Sequence, residues 1–389
     1  MKRERVRQQK KSSKRALQRS LILLFTILVI AMAVIAVVSA QLSGVWRSPW
    51  TETQYLQTVP AIVDVRADVK NNNNNNNNNM AYFSTIPRRI WTYWEPPLPR
   101  EPHAAAHDAI VRACIGTWRE SCPGYDITVL TLASSAKYLP PLLQRPFLDS
   151  TQRYTDFLRL FILAEHGGIW LDASIFMTRR LDDWLRGVQL DSRHPVGHES
   201  HETTAPRRPA EVVAYYMEGF TTRPQWPMVE SWFIAAVPRS LLVQHWRNAF
   251  CRTMMHPTER AYLTHVVQVQ GVDLQNLIMR EYLTVYVAFQ VALQTSPPDL
   301  KLEQRVATLN SNEGPFRLQI SKNWNSREVA NMLCSIDALN DWLQMNNTNL
   351  EALKIVKLRS SERHAIAHRG CVAGFQRCLD AVSALSKKS

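Results

Sequence analysis

"TQRYTDFLRLFILAEHGGIWLDASIF", residues 151–176, decides how this sequence folds. Phe157, Leu160, Phe161 and Ala164 recur at the i, i+3, i+4, i+7 spacing of an apolar helical stripe, which predicts a helix over Thr151–His166 facing a core. Gly167 supplies the left-handed residue on which such a helix ends, and Gly168 leads the chain out. Ile169-Trp170-Leu171 is wholly apolar, the texture of a strand buried in a parallel sheet. Asp172 then closes the apolar run.

Working outward, the same rhythm recurs. Arg89–Trp94 reads as a strand stopped by Pro96-Pro97, Ala104–Trp118 as a helix, and Asp126–Leu130 as a strand after the Pro123-Gly124 turn. Downstream, Trp232–Val237 is a further apolar strand, while Leu241–Phe250 and Leu274–Leu293 look helical. Beyond Pro298 the pattern is helices with polar connections and no second core. Alternating strands and helices predict an α/β fold with a mainly parallel sheet.

Composition sets the frame for that domain. The chain has 389 residues, is 46% hydrophobic and carries a net charge of +13. Most of that charge is local: residues 2–19 hold nine Lys/Arg against the single acid Glu4. The basicity therefore belongs to a tail, and a nucleic-acid partner is not expected. Leu21–Ala40 follows as twenty uncharged residues, at about 1.5 Å per residue enough to cross the hydrocarbon layer. Basic residues ahead of it predict a type II signal anchor with the tail, residues 1–20, in the cytoplasm; a signal peptide cleaved after Val38-Ser39-Ala40 is the alternative. Residues 41–79 form a stem, including nine consecutive asparagines at 71–79 that cannot bury apolar surface. Residues 80–389 are the folded domain, with a polar loop at 191–209 that could act as an acceptor-side lid. The tail, anchor and stem together suit a Golgi membrane with a lumenal domain, with a bacterial envelope as the alternative. All six cysteines lie beyond the anchor without metal spacing. The short-range pairs Cys114–Cys122 and Cys371–Cys378 are candidate disulfides, and free buried thiols are the alternative.

In open α/β sheets, ligands gather beyond the carboxyl ends of strands, where Asp172 stands. A carboxylate there must be paired, hydrogen-bonded or metal-bound. It either anchors a divalent cation, Mn2+ or Mg2+, against a diphosphate or caps the following turn. Asp156 and Arg159 lie three apart on the preceding helix, away from its apolar stripe. They form either a surface salt bridge or a pair presenting Asp156 to a sugar hydroxyl and Arg159 to a phosphate.

Four blocks in order carry a resemblance: "IPRRIWTYWE", "CIGTWRESCPGYDITVL", "YTDFLRLFILAEHGGIWLDASIF" with its following "RRLDDW", and "ESWFIAAVPRSLLVQHW". With weaker echoes at 281–289 and at "IVKL" (355–358), they resemble the capsular polysaccharide synthesis protein family. That family is related to the sugar-binding-DxD glycosyltransferases of family 32, which are Golgi mannosyltransferase-like. The resemblance implies a Rossmann-like GT-A fold. It implies transfer of a hexosyl group from a nucleotide-sugar donor to a glycan or glycoconjugate hydroxyl with retained configuration. A non-catalytic glycan-binding or scaffolding relative is the alternative. By position Asp172 is the first motif carboxylate and Asp156 and Arg159 the helix pair that contacts the donor. Ser174 stands where the second aspartate would be. A hydroxyl can ligate Mn2+ or Mg2+ but adds no charge, so the metal site at Asp172 and Ser174 is weaker than a full motif. Trp91 and Tyr93 are candidates to stack on the donor's base, or else core residues. Lys357, or His364 and His368, would neutralise the leaving diphosphate or complete a metal shell. Glu230 and Glu218 are further candidate carboxylates.

Overall fold

A computed structural model of the chain describes residues 85–144, 150–190 and 209–386, all within one compact unit, Glu52–Ser389. The basic tail, the Leu21–Ala40 anchor, the asparagine-rich stem and most of the 191–209 loop lie outside the described residues. Among those described, no helix is long and apolar enough to cross a membrane.

The main sheet has six strands: β1 (Arg89–Tyr93), β2 (Asp126–Leu130), β3 (Gly168–Leu171), β5 (Val212–Tyr216), β6 (Val229–Ala236) and β7 (Val306–Asn310), in the order β2-β1-β3-β6-β5-β7. β1 is parallel to both β2 and β3, and β5 is parallel to β7. β6 alone runs against its neighbours β3 and β5. The sheet is therefore mixed, with five strands sharing one direction. A second, two-stranded sheet pairs β4 (Ile175–Met177) with β8 (Ile355–Lys357), antiparallel.

Helix α1 (Ala104–Ser121) serves two cores because it is apolar on two faces. Val111, Ile115 and Trp118 enter the core against the main sheet. Ile110, Ala113 and Cys114 pack with Phe176, Val356 and the C-terminal helices. Each large side chain buried this way contributes about 1.5–3 kcal/mol. Those helices are α5 (Ser326–Leu333), α6 (Ile336–Met345), α7 (Ser360–His368) and α8 (Val372–Ser386), numbered after α2 (Thr151–His166), α3 (Leu241–Cys251) and α4 (Thr284–Thr295). The expectation of no second core beyond Pro298 is corrected: that region supplies β7, β8 and most of the second cluster. Three- and five-residue strands are too short to stand out by periodicity. The helix expected over Leu274–Leu293 begins only at Thr284. Ahead of it Gln275 and Met279 take positive φ, which an α-helix excludes.

Helix α2 and β3 match the sequence reading. Ser150 caps α2 by accepting from the Arg153 amide at 3.1 Å. Gly167 ends it at φ 61°, where an added Cβ would sit 2.5 Å from the Pro238 nitrogen. Gly168, at φ 96°, brings β3 so close to β1 that a Cβ would lie 2.7 Å from the Arg89 carbonyl oxygen. The two glycines seat β3 in the middle of the sheet, which puts Asp172 at its carboxyl rim.

Cys334 and Cys371 form a disulfide, while Cys114, Cys122, Cys251 and Cys378 are free and buried. Both short-range pairings are thus corrected; the bridge instead spans 37 residues.

Candidate active site

The Asp172 amide donates to the Trp232 carbonyl at 2.9 Å, so the residue is tied to β6 as it leaves β3. Its carboxylate receives side-chain donors only, among the described residues. Lys357 Nζ donates to Oδ2 at 2.6 Å, Trp170 Nε1 to Oδ1 at 3.2 Å, and an Arg159 Nη2 lies 3.5 Å from Oδ1. No backbone amide caps it. Burial alone would raise this carboxyl, but Lys357 and Arg159 outweigh it and hold the group down at about 2. Its side chain is still 28% exposed, against 11% for Lys357 and 5% for Arg159. Asp172 is the member of the cluster that a ligand can reach.

Lys357 arrives from the other side. As the last residue of β8 it pairs with Ile175 of β4. Its amide donates to the Pro315 carbonyl at 3.1 Å, and its carbonyl accepts from Gln319 Nε2 at 2.7 Å. β4 is itself docked on α1: Trp118 Nε1 donates to the Ile175 carbonyl at 2.7 Å and the Met177 amide to Thr117 Oγ1 at 2.9 Å. Ser174 bonds β8 twice, its Oγ donating to the Leu358 carbonyl at 2.9 Å and its carbonyl accepting from the Leu358 amide at 3.0 Å. The same Oγ accepts from Lys357 Nζ at 3.1 Å.

Asp156 and Arg159 are not a surface pair. Both side chains are only 5% exposed and lie 3.2 Å apart. α2 is covered on a second side by α3, where Phe157 meets Phe250 at a ring separation of 4.4 Å. Every nitrogen of the Arg159 guanidinium is committed: Nε to the Thr155 carbonyl, Nη1 to the Ser231 carbonyl and Oγ, Nη2 to the two aspartates. Arg159 therefore stands behind Asp172 and ties it to Asp156. Burial raises the Asp156 carboxyl to about 6, against the opposing pull of Arg159.

These residues fit a divalent cation poorly. Oδ2 of Asp172 and Oγ of Ser174 both face an ammonium, and Oδ1 faces an indole N–H and a guanidinium. Among the described residues no group of three or more His, Cys, Asp and Glu could hold a metal ion. A cation at Asp172 would have to displace Lys357.

Residues 54–256 match the family of the capsular polysaccharide synthesis protein. The chain belongs to this family. Glycosyltransferase afumC of Aspergillus fumigatus is 24% identical over 177 residues, which cover 42% of this chain and 39% of that protein. The chain therefore spans well under two thirds of that relative. Among solved structures, the PaToxG glycosyltransferase is similar over 77% of this chain and 87% of its own, at 12% identity and a TM-score of 0.29. A likeness that loose carries no argument, and the architecture here stands on its own strand order.

In this member of the family Trp91 is a core residue, which corrects its proposed stacking on a base. It is buried, donates from Nε1 to the Gly167 carbonyl at 3.0 Å, and has the Arg89 guanidinium over its ring. Tyr93 is also buried, edge-on to Tyr154. His364 and His368 pair instead with His107 and His103 of the α1 end, at ring separations of 4.5 and 5.7 Å.

Glu230 is the buried carboxylate beside the site. Trp232 Nε1 and the Tyr286 hydroxyl both donate to its Oε2, at 2.8 and 2.5 Å, while Oε1 has no partner. Burial raises it to about 7 despite those donors. Glu218 is exposed and accepts from Asn310 and Asn312. Those asparagines line a cleft of about 670 Å³, of mixed polar and apolar lining, with Tyr215, Glu313, Arg317 and Lys354. Sequence reasoning missed Tyr286, Arg363 and this cleft. Arg363 is half-buried, the charges of Asp172 and Cys114 act on it, and its Nε has no partner among the described residues. It falls on the buried side of α7, a signal visible only with the second core in place.

Proposed function

We propose that this chain is a glycosyltransferase that moves a sugar from a nucleotide-sugar donor to a hydroxyl of a glycan or glycoconjugate. The observation that carries it is Asp172: an ionised, partly open carboxylate at the carboxyl rim of β3, held from behind by Arg159 and from the side by Lys357. Family membership supports the reading, as does the name of the Aspergillus relative.

The donor's diphosphate would lie against Lys357 and the sugar toward Asp172. Asp156 acts through Arg159 in holding that arrangement. The cleft at the ends of β5 and β7, with the amides of Asn310, Asn312 and Asn346 on its wall, suits the acceptor's hydroxyl groups. In the reaction the acceptor oxygen bonds the anomeric carbon as the bond to the diphosphate breaks. The hydroxyl proton leaves with the departing phosphate. The protein's contribution is alignment and charge stabilisation. Retention of configuration, implied by the resemblance, belongs to the same proposal. No step passes through a metal, given the misfit at Asp172. Anchoring by Leu21–Ala40 with the domain in a Golgi lumen belongs to the same proposal; the Cys334–Cys371 disulfide supports only its oxidising-compartment part.

The test is consumption of a panel of nucleotide sugars by the full-length chain, with and without oligosaccharide acceptors. Turnover of one donor that is abolished by Asp172→Ala is the expected result. No turnover of any donor, combined with retained glycan binding, would replace this reading with that of a non-catalytic relative.

A further inference from the structure

The family resemblance places a metal at Asp172 and Ser174, and at that place the structure has an ammonium group. Lys357 Nζ lies 2.6 Å from Asp172 Oδ2 and 3.1 Å from Ser174 Oγ. We propose that Lys357 does the work of a divalent cation in this chain, so that the donor's diphosphate is bound without metal. This rests on the nucleotide-sugar reading above and concerns how the same site holds its donor.

Charge counting is the first argument. Two aspartates around a divalent cation sum to zero. Asp172 with the Lys357 ammonium also sums to zero, with Arg159 set against Asp156 behind them, provided the second position is neutral, and here it is Ser174. The two departures, a serine for a carboxylate and a lysine within reach, compensate each other. Either one alone would leave the site with an unbalanced charge in a largely buried setting.

Hydrogen-bond counting is the second. The Ser174 hydroxyl spends its proton on the Leu358 carbonyl, so it meets Lys357 as an acceptor. An ammonium has three N–H donors. Asp172 and Ser174 take two, and no third acceptor is present among the described residues. A phosphate oxygen at the open side of the cluster would complete the set. A charge-assisted bond of that kind is among the stronger ones available to a protein.

Preorganisation is the third. Lys357 is fixed at its amide by Pro315, at its carbonyl by Gln319 and along β8 by β4. The β4 strand is locked in turn to α1. The ammonium is thus delivered by rigid elements, and its reach is set before any ligand arrives.

Calorimetric titration of the full-length chain with UDP and with GDP, in EDTA and in millimolar Mn2+, tests this. At least one nucleotide is expected to bind with a Kd that agrees within about twofold between the two buffers. Lys357→Met should weaken it about tenfold or more in both, roughly the loss of one charge-assisted bond. Adding Ser174→Asp to Lys357→Met restores the charge count with metal, so that pair should regain binding only in Mn2+. Circular dichroism shows that each variant is folded. A tenfold loss of wild-type affinity in EDTA would overturn the proposal, as would unchanged affinity in a folded Lys357→Met. Failure of every nucleoside diphosphate to bind in either buffer would remove the donor reading itself, and this inference with it.

Discussion

Asp172 and Glu230 lie a few residues apart across β3 and β6 yet titrate in opposite directions: burial raises both, and only Asp172 has cations beside it that outweigh burial. Asp172 faces two cations and stays ionised to about pH 2. Glu230 has only neutral donors and keeps its proton to about pH 7. The unfolded chain would release that proton near its ordinary value of 4.5. The native state therefore binds the extra proton between those two values. Glu230 stabilises the fold fully below about pH 4.5, and this contribution is lost as pH rises through about 7. Glu230→Gln should flatten that fall, worth on the order of 2–3 kcal/mol, in urea melts recorded at pH 5 and pH 8. An unchanged slope would show that the carboxyl is not protonated in the native state. At this scale the sequence exposed Asp172 clearly, because a lone acid ending an apolar run is conspicuous. Lys357 was named only as a group to neutralise a diphosphate or complete a metal shell, not as the partner of Asp172: it is 185 residues away, and only the β4–β8 pairing joins them. Arg159 was misplaced for a related reason. A single apolar stripe does not reveal that a helix is packed on two sides.

Among the elements, the glycine pair after α2 makes the sharpest prediction. Both glycines have positive φ and no room for a side chain. Gly167→Ala would force apart the α2–β3 corner and the chain at Pro238, at a cost of about 2–4 kcal/mol, measurable by chemical denaturation. A loss below about 0.5 kcal/mol would mean that the corner relaxes freely. The α2–β3 unit was legible because its cap, stripe, glycine stop and apolar strand all agree. β4 and β8 were not, having three residues each. Their identity depends on docking against α1 and on pairing with each other. The segment before α4 was read as helix because its apolar spacing is helical. Its conformation is decided instead by side-chain bonds, such as those from the Thr222 and Arg223 amides to the Gln275 amide oxygen at 2.7 Å.

At the level of the whole molecule, two cores share α1, and the C-terminal one holds β8 and hence Lys357 in place. The Cys334–Cys371 disulfide closes 37 residues of that second core. Replacing both cysteines by serine should cost about 2–4 kcal/mol in a denaturant melt, with the larger effect on nucleotide affinity if β8 loosens first. An unaffected midpoint would mean that the bridge contributes nothing to this core. The α/β class and the place of Asp172 at a strand end could be read in advance, since both follow from local alternation. The antiparallel β6 and the second core could not, because they are set by contacts between distant segments.

The account depends most on Asp172 as the organiser of a donor site. The direct test is the steady-state rate at which the full-length chain consumes its best nucleotide sugar, compared between the wild type and Asp172→Asn. The substitution keeps the shape and removes the charge facing Lys357. A loss of kcat/KM of about a hundredfold or more, with circular dichroism unchanged, is predicted. A folded Asp172→Asn chain turning over at the wild-type rate would contradict it.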